Sequence, residues 1–288
     1  MIVETVNPGA DTVRAFVETY VAQNPEFAEV LRMYGAIMEA QQTALESISC
    51  EVGTLEPGEL ELRLAQGESI IDPGEIEIDG AAFRGLVGKI CKVLDDTRPG
   101  GLIYRDELAG WEGLSDERIE RTRDMVLSGE ELDFHPASDL SAEDLELVHN
   151  ILWEALTPFY RKCAEVVASG LEQSMWLRGS CPVCGGAPLM GKYRQEDGLW
   201  LVECSLCHTL WNLQRASCPF CNESQGSLDY LYIDEDKSHR ANYCPECKRY
   251  VKTVDVRESD KDALLPLEDL ITIQLDVAAS QEGLKGAS

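Results

Sequence analysis

Positive charge is scarce in this sequence. Its 288 residues carry 25 Lys and Arg against 52 Asp and Glu, a formal net charge of −27. A protein face that meets nucleic acid needs an excess of cations to displace counterions from phosphates. No nucleic-acid partner is therefore expected, and a DNA- or RNA-binding ribbon is the weakest of the readings considered. Long apolar runs are also missing: nothing approaches the roughly eighteen residues of a membrane-spanning helix. The opening Met1-Ile2-Val3-Glu4-Thr5 has no basic segment and no apolar signal core, so the chain is expected to stay in a reducing cytoplasm. Histidines number four, and His135 and His149 stand alone. No Gly-rich phosphate loop and no Ser/His/Asp arrangement occurs. The chain is accordingly read as a non-enzyme.

Cysteine is the exception. Eight of the eleven cysteines fall between Cys181 and Cys247, all as C-x-x-C pairs: Cys181/Cys184, Cys204/Cys207, Cys218/Cys221 and Cys244/Cys247. A tetrahedral ion takes four soft ligands, and each C-x-x-C knuckle brings two thiolates to one side of it. Two knuckles make one site, so four make two sites. Disulfides would suit a small secreted framework, which nothing here suggests. A redox dithiol normally comes as a single pair in an α/β fold. Two metal ions, iron or zinc, are therefore expected, and the ligand set suits both.

The spacers bear on which pairs share an ion. Ala187–Arg194, an Asp197-Gly198 turn and Leu199–Glu203 read as a hairpin. Leu228–Ile233 reads as a strand that turns back toward Asn242-Tyr243. Each hairpin returns the chain to its own knuckle, which gives site 1 as Cys181, Cys184, Cys204 and Cys207. Site 2 is then Cys218, Cys221, Cys244 and Cys247. An interleaved cross-brace is the alternative. Gly185 follows the second cysteine of the first knuckle and lets backbone N–H groups approach the sulfurs, and Asn222 in the third also tolerates left-handed backbone; His208 and Lys248 hold the position in the others, so the pattern is imperfect. His208 as a replacement ligand is the lesser reading. Between Cys181 and Arg257 there are nine Lys/Arg and ten Asp/Glu, so the acidity lies in the rest of the chain. That acidity serves solubility, or a surface for a basic partner segment.

The remainder reads as mostly helical. Residues 1–8 look loose. Helical spacing covers Asp11–Gln23 and then Pro25–Ser47, with Gly35 allowing a close helix crossing. Glu51–Gly80 is acidic and irregular. Ala81–Leu94 and Asp116–Leu127 follow as helices, the second capped by Ser115. Ser128–Leu140 is a polar connection. Ser141-Ala142-Glu143-Asp144 opens a long helix as a capping-box variant, which Thr157-Pro158 resets or kinks. Tyr250–Val256 closes the second ribbon, Asp262–Ser280 holds a last helix, and Gln281–Ser288 frays. Cys50, Cys91 and Cys163 are read as small apolar core residues. The fold class is α+β. A helical domain spans 1–175, the first four-cysteine ribbon 176–217, the second 218–260, and a C-terminal helix and tail 261–288.

The knuckles suggest a family. Cys-Pro-Val-Cys-Gly at 181–185, Cys-Ser-Leu-Cys at 204–207, then Thr209, Trp211, Arg215 and the pairs at 218/221 and 244/247 resemble the FdhE family. Glu29–Leu45 and Leu267–Gly283 are similar to that family's flanking helical segments. Leu210 stands where members often carry an acid, and Asn212 where a His is common. The resemblance implies a rubredoxin-like pair of metal sites on a helical body. It further implies an accessory role, without turnover, in maturing formate dehydrogenase by binding its catalytic subunit in the cytoplasm before export. Trp211 and Arg215 are candidate partner contacts, with Trp200, Tyr230 and Tyr232 as further aromatic candidates; core packing of the hairpins is the favoured reading for each aromatic, and a cap on the inter-ribbon link the alternative for Arg215. The rival reading is a redox-active iron protein that passes electrons or senses oxygen for the same enzyme. A homodimer is left open.

Overall fold

Helical spacing in the first half of the chain becomes packed helices. The computed structural model describes residues 3–5, 7–52, 57–97, 114–130, 132, 141–168, 176, 178–213, 218–221, 228–233, 237–258 and 263–287. Helix α1 (Ala10–Gln23) buries Val13, Val17, Tyr20 and Val21, one face at spacings of three and four. Helix α2 (Ala28–Leu45) follows a short 3-10 turn at Pro25–Phe27 and buries Leu31, Gly35, Ile37, Met38 and Gln41 among others. The two helices cross tightly at Gly35, where a Cβ would lie 2.5 Å from Val17 Cγ2. Helices α3 (Pro57–Gln66), α4 (Gly80–Thr97), α5 (Asp116–Ser128) and α6 (Ala142–Ala168) complete the body. Helix α6 is its axis, packing on α2, α4 and α5.

The caps follow the sequence. Ser115 Oγ accepts from the Arg118 amide at the start of α5. At α6 the Asp144 amide donates to Ser141 Oγ at 3.3 Å and the Ser141 amide to Asp144 Oδ2 at 3.0 Å, a reciprocal capping box.

Pro158 does not break α6, which runs through it. Proline lacks the N–H that would bond the carbonyl four residues back. That carbonyl belongs to Glu154, and the buried Gln41 of α2 supplies the missing donor: its Nε2 lies 2.8 Å from Glu154 O and 2.6 Å from Glu154 Oε2. Thr157 Oγ1 meanwhile donates to Trp153 O.

The second half forms a sheet. Strands β1 (Val3–Thr5), β2 (Pro188–Tyr193), β3 (Trp200–Cys204), β4 (Thr209–Leu213), β5 (Asp229–Leu231), β6 (His239–Tyr243) and β7 (Arg249–Asp255) lie in the order β1-β4-β3-β2-β7-β6-β5, and β8 (Lys285–Gly286) pairs with β7. Within the first ribbon, Gly191 pairs with Val202 and Val202 with Trp211; within the second, Tyr230 pairs with Asn242 and Ala241 with Lys252, all antiparallel. The ribbons join through a parallel pairing of β2 with β7, Gly191 opposite Thr253. Trp200 Nε1 crosses that joint to Thr253 Oγ1 at 3.1 Å. Two C-terminal helices, α7 (Leu265–Ile271) and α8 (Ile273–Gln281), pack on the sheet. Lys252 Nζ holds both, through Asp269 of α7 and Asp276 of α8. One cluster of buried side chains runs from Phe83 and Leu152 through Trp176 to Val202 and Trp211, so the helices and the first ribbon share a core.

Several expectations fail here. Residues 3–5 are not loose; they form β1, antiparallel to β4 with Val3 opposite Trp211. The open edge of β4 supplies partners that a three-residue segment cannot find by itself. Glu51–Gly80 is not wholly irregular: α3 buries Leu64 against the core with Leu60 beside it, a spacing of four. The tail does not fray through its length, because Lys285–Gly286 adds to β7. The single last helix is two, with Thr272 between them and its Oγ1 turned back to Glu268 O. Cys50 and Cys163 are not separate apolar residues. They form a disulfide with Cα atoms 5.3 Å apart, which ties the segment after α2 to α6. Cys91 is free and half-buried, and burial pushes its thiol up to about 11.

Candidate metal centres

Each quartet is assembled by two turns at the ends of short strands. In the first, the Gly185 amide donates to Cys181 O and the His208 amide to Cys204 O. The third residue of this kind, Lys248, donates to Cys244 O. All three have left-handed backbone, with φ of 76° at Gly185, 54° at His208 and 61° at Lys248. His208 and Lys248 are the non-glycine residues with positive φ among the described residues. The strain at those two positions marks the turn that aims two sulfurs at one point. Asn222 lies outside the described residues.

The quartets are Cys181, Cys184, Cys204 and Cys207, and Cys218, Cys221, Cys244 and Cys247; within each, all sulfurs lie within 4.8 Å of one another. Consecutive pairs therefore come together, and the cross-brace is not formed. Sulfur separations are 3.4–3.6 Å in the first group, for the pairs 184/207, 184/204 and 181/207. In the second they are 3.6 Å for 218/247 and 3.8 Å for 221/244. A tetrahedron with metal–sulfur bonds of about 2.3 Å has edges of about 3.8 Å, so both groups could hold an ion.

The surroundings fit a cation. Backbone N–H groups of Val183, Leu206 and Phe220 point at Cys181, Cys204 and Cys218 sulfurs at 3.4 Å. Thr209 Oγ1 lies 3.1 Å from Cys207 Sγ. Burial pushes the Cys181 thiol well above the usual thiol range, and the sulfur of Cys181 pushes Cys184 the same way. Cys207 goes down: burial opposes it, but donors from Cys181, Cys184, Cys204 and Thr209 prevail. Burial disfavours several thiolates side by side, and a divalent ion is what would let a quartet this dry carry four. Iron and zinc both satisfy the donor set.

The groups differ in exposure. All four sulfur residues of the first are buried, while in the second Cys221 is exposed and Cys247 half-buried. The first is also covered from outside the ribbon: the Ile70 and Ile71 amides donate to Pro182 O and Val183 O. From α6, Trp153 Nε1 donates to Ser205 O.

The remaining candidates divide. His208 is not a ligand; its Nδ1 lies 2.5 Å from buried Glu203 Oε1. His149 Nε2 bonds Val126 O on α5. Trp211 is fully buried between β3 and β1, as is Trp200 at the ribbon joint, so neither is a surface contact. Tyr230 is exposed and packs beneath the Arg240 guanidinium, while Tyr232 OH accepts from Arg240. Arg215 and His135 lie outside the described residues. Sequence reasoning missed the Ser69–Ile71 cover and the Trp153 contact, both more than fifty residues from the cysteines they serve. No local pattern signals them.

The model of the FdhE central domain matches residues 180–215, and that of the FdhE C-terminal domain matches residues 216–288. Each matched stretch encloses one quartet. Both matches are to domains of the FdhE family, which this chain resembles over residues 180–288. An FdhE homologue of Actinobacillus pleuropneumoniae is 33% identical over 154 residues, 51% of this chain and 50% of that protein. The chain thus spans about half the length of such relatives. The FdhE protein of Escherichia coli K12 is 26% identical over 276 residues, 93% of this chain and 82% of that one. The crystal structure of the FdhE protein from Pseudomonas aeruginosa has the same fold, with a TM-score of 0.69 at 22% identity over 99% of this chain and 96% of that one. Among the described residues, no helix is long and apolar enough to cross a membrane.

Proposed function

We propose that this protein is an accessory factor in the assembly of formate dehydrogenase. It binds the catalytic subunit of that enzyme in the cytoplasm and catalyses no reaction itself. The eight cysteines hold two metal ions, and the ions keep the ribbons in the shape offered to the client. The observation that carries this reading is the enclosure of one quartet by each FdhE family match, 180–215 and 216–288. The helical body supplies an acidic face, and Arg215 and Tyr230 are the contacts offered from the ribbons.

The test is co-purification of the tagged chain with the catalytic subunit, beside a Cys204→Ser variant. The intact chain retains the subunit, and the variant loses one ion per chain and retains less. An intact, metal-loaded chain that recovers no formate dehydrogenase subunit refutes the proposal. A redox reading has one observation in its favour, the exposure of Cys221, through which an electron could leave. A colourless, zinc-loaded protein from anaerobic preparation refutes it, since zinc has no accessible second oxidation state.

A further inference from the structure

The two quartets have the same ligands and opposite access. In the first, the exposure of Cys181, Cys184, Cys204 and Cys207 is 0%, 1%, 0% and 1%. Gly186 closes over it so tightly that a Cβ there would lie 2.9 Å from Cys204 Sγ and 3.3 Å from Cys184 Sγ. Ile70 and Ile71 cap its first knuckle, Trp153 of α6 holds its second, and Thr209 fills the space beside Cys207. Reaching a sulfur there requires the helical body to part from the ribbon. In the second, Cys218 and Cys244 are buried, Cys247 is half-buried and Cys221 is open to solvent. The described cover of this group is one-sided: the Gly179 amide donates to Pro219 O, Arg249 lies over the Phe220 ring at 5.5 Å, the Lys285 amide donates to Lys248 O, and Cys218 and Cys244 join the shared core, while Cys221 stands outside it.

We infer that the second quartet is an exchangeable metal site and the first a locked one. This rests on the reading that both quartets hold ions. Ligand substitution at such a centre begins when an outside donor reaches the ion as one of its sulfurs leaves. Cys221 is the sulfur that can leave into water, where its thiolate takes a proton, and Cys247 is the next. The incoming donor is a soft ligand, such as a small thiol, a chelator or a cysteine of a partner protein. No oxidation accompanies the exchange. The buried first quartet exchanges only through opening of the shared core, which holds its ion through many cycles at the second.

The test uses the full, metal-loaded chain with two ions measured per chain. A chromogenic chelator in excess is added, ion release is followed in time, and samples are alkylated with N-ethylmaleimide and mapped by mass spectrometry. Release is expected in two phases of one ion each, the second at least about tenfold slower. The label after the first phase is expected on Cys218, Cys221, Cys244 and Cys247, with Cys181, Cys184, Cys204 and Cys207 protected. Two ions leaving in one phase, or label appearing first on the Cys181–Cys207 group, overturns the inference while leaving two-ion binding intact. A chain isolated under anaerobic conditions with no ion overturns the coordination reading itself, and this inference with it.

Discussion

Gln41→Leu tests how α6 survives its proline. Gln41 is 1% exposed, and its Nε2 donates both to the Glu154 carbonyl and to the Glu154 carboxyl. Leucine keeps most of the volume and removes both bonds. The carbonyl then has no donor, because residue 158 has no N–H, and a buried acceptor without a partner costs about 1–3 kcal/mol. Losing the bond to the carboxyl adds about 1–2 kcal/mol, softened because Tyr34 OH still donates to it. The total is about 3 kcal/mol, which lowers the Tm by about 2–4 °C per kcal/mol in a chain of this size class. The assay is urea and thermal unfolding of four proteins: the parent, Gln41→Leu, Pro158→Ala and the double variant. Pro158→Ala restores an amide that can bond the Glu154 carbonyl along the helix. The penalty of Gln41→Leu should then be smaller by about 1–2 kcal/mol in the Pro158→Ala background. If the two changes add within about 0.5 kcal/mol, the glutamine is not substituting for the missing amide, and this account of α6 is wrong.

Three further outcomes follow from the packing. Gly35→Leu places side-chain atoms where a Cβ alone meets Val17 Cγ2 at 2.5 Å; it should destabilise by about 1–3 kcal/mol or more in chemical unfolding, with part of the loss recovered in a Val17→Ala background. Burial holds the Glu154 carboxyl above its usual range, so its favourable contribution is full below the unfolded-state pKa and is lost as pH rises through the folded-state value. Glu154→Gln removes that loss, and its Tm relative to the parent should be higher at pH 8 than at pH 5; a pH-independent difference counts against the assignment. The Cys50–Cys163 bridge spans 113 residues, and Cys50→Ser should lower stability by about 2–4 kcal/mol against the oxidised parent, with no difference once the parent is reduced.

What the sequence made legible was local. The C-x-x-C spacing within each knuckle, the hairpin turn at Asp197-Gly198 and the capping box at Ser141–Asp144 each involve residues within a few positions of one another. All three stand as expected. Gly35 was legible as a crossing point because glycine inside an otherwise good helix needs a reason. What stayed hidden depended on distant partners. Strand β1 exists because β4, some two hundred residues later, leaves an edge for it. Strand β4 was itself unread, so nothing local decided between a partner contact and core packing for Trp211, which is the middle of a buried strand. The partner of Cys50 was 113 positions away, and composition gave no reason to join it to Cys163 rather than to Cys91.

The same distance argument separates the two quartets. The cysteines are equivalent in type and nearly so in spacing, and each hairpin alone would present its sulfurs much as the other does. The parallel pairing of β2 with β7 makes the ribbons one sheet and puts their positions out of equivalence. In the first ribbon β1 seals β4 and α6 reaches Ser205. The second runs out to β5, the last strand of the order, whose Tyr230 faces solvent. A change that loosens the helical body, such as Gly35→Leu, should therefore loosen the first quartet before the second, although it touches neither.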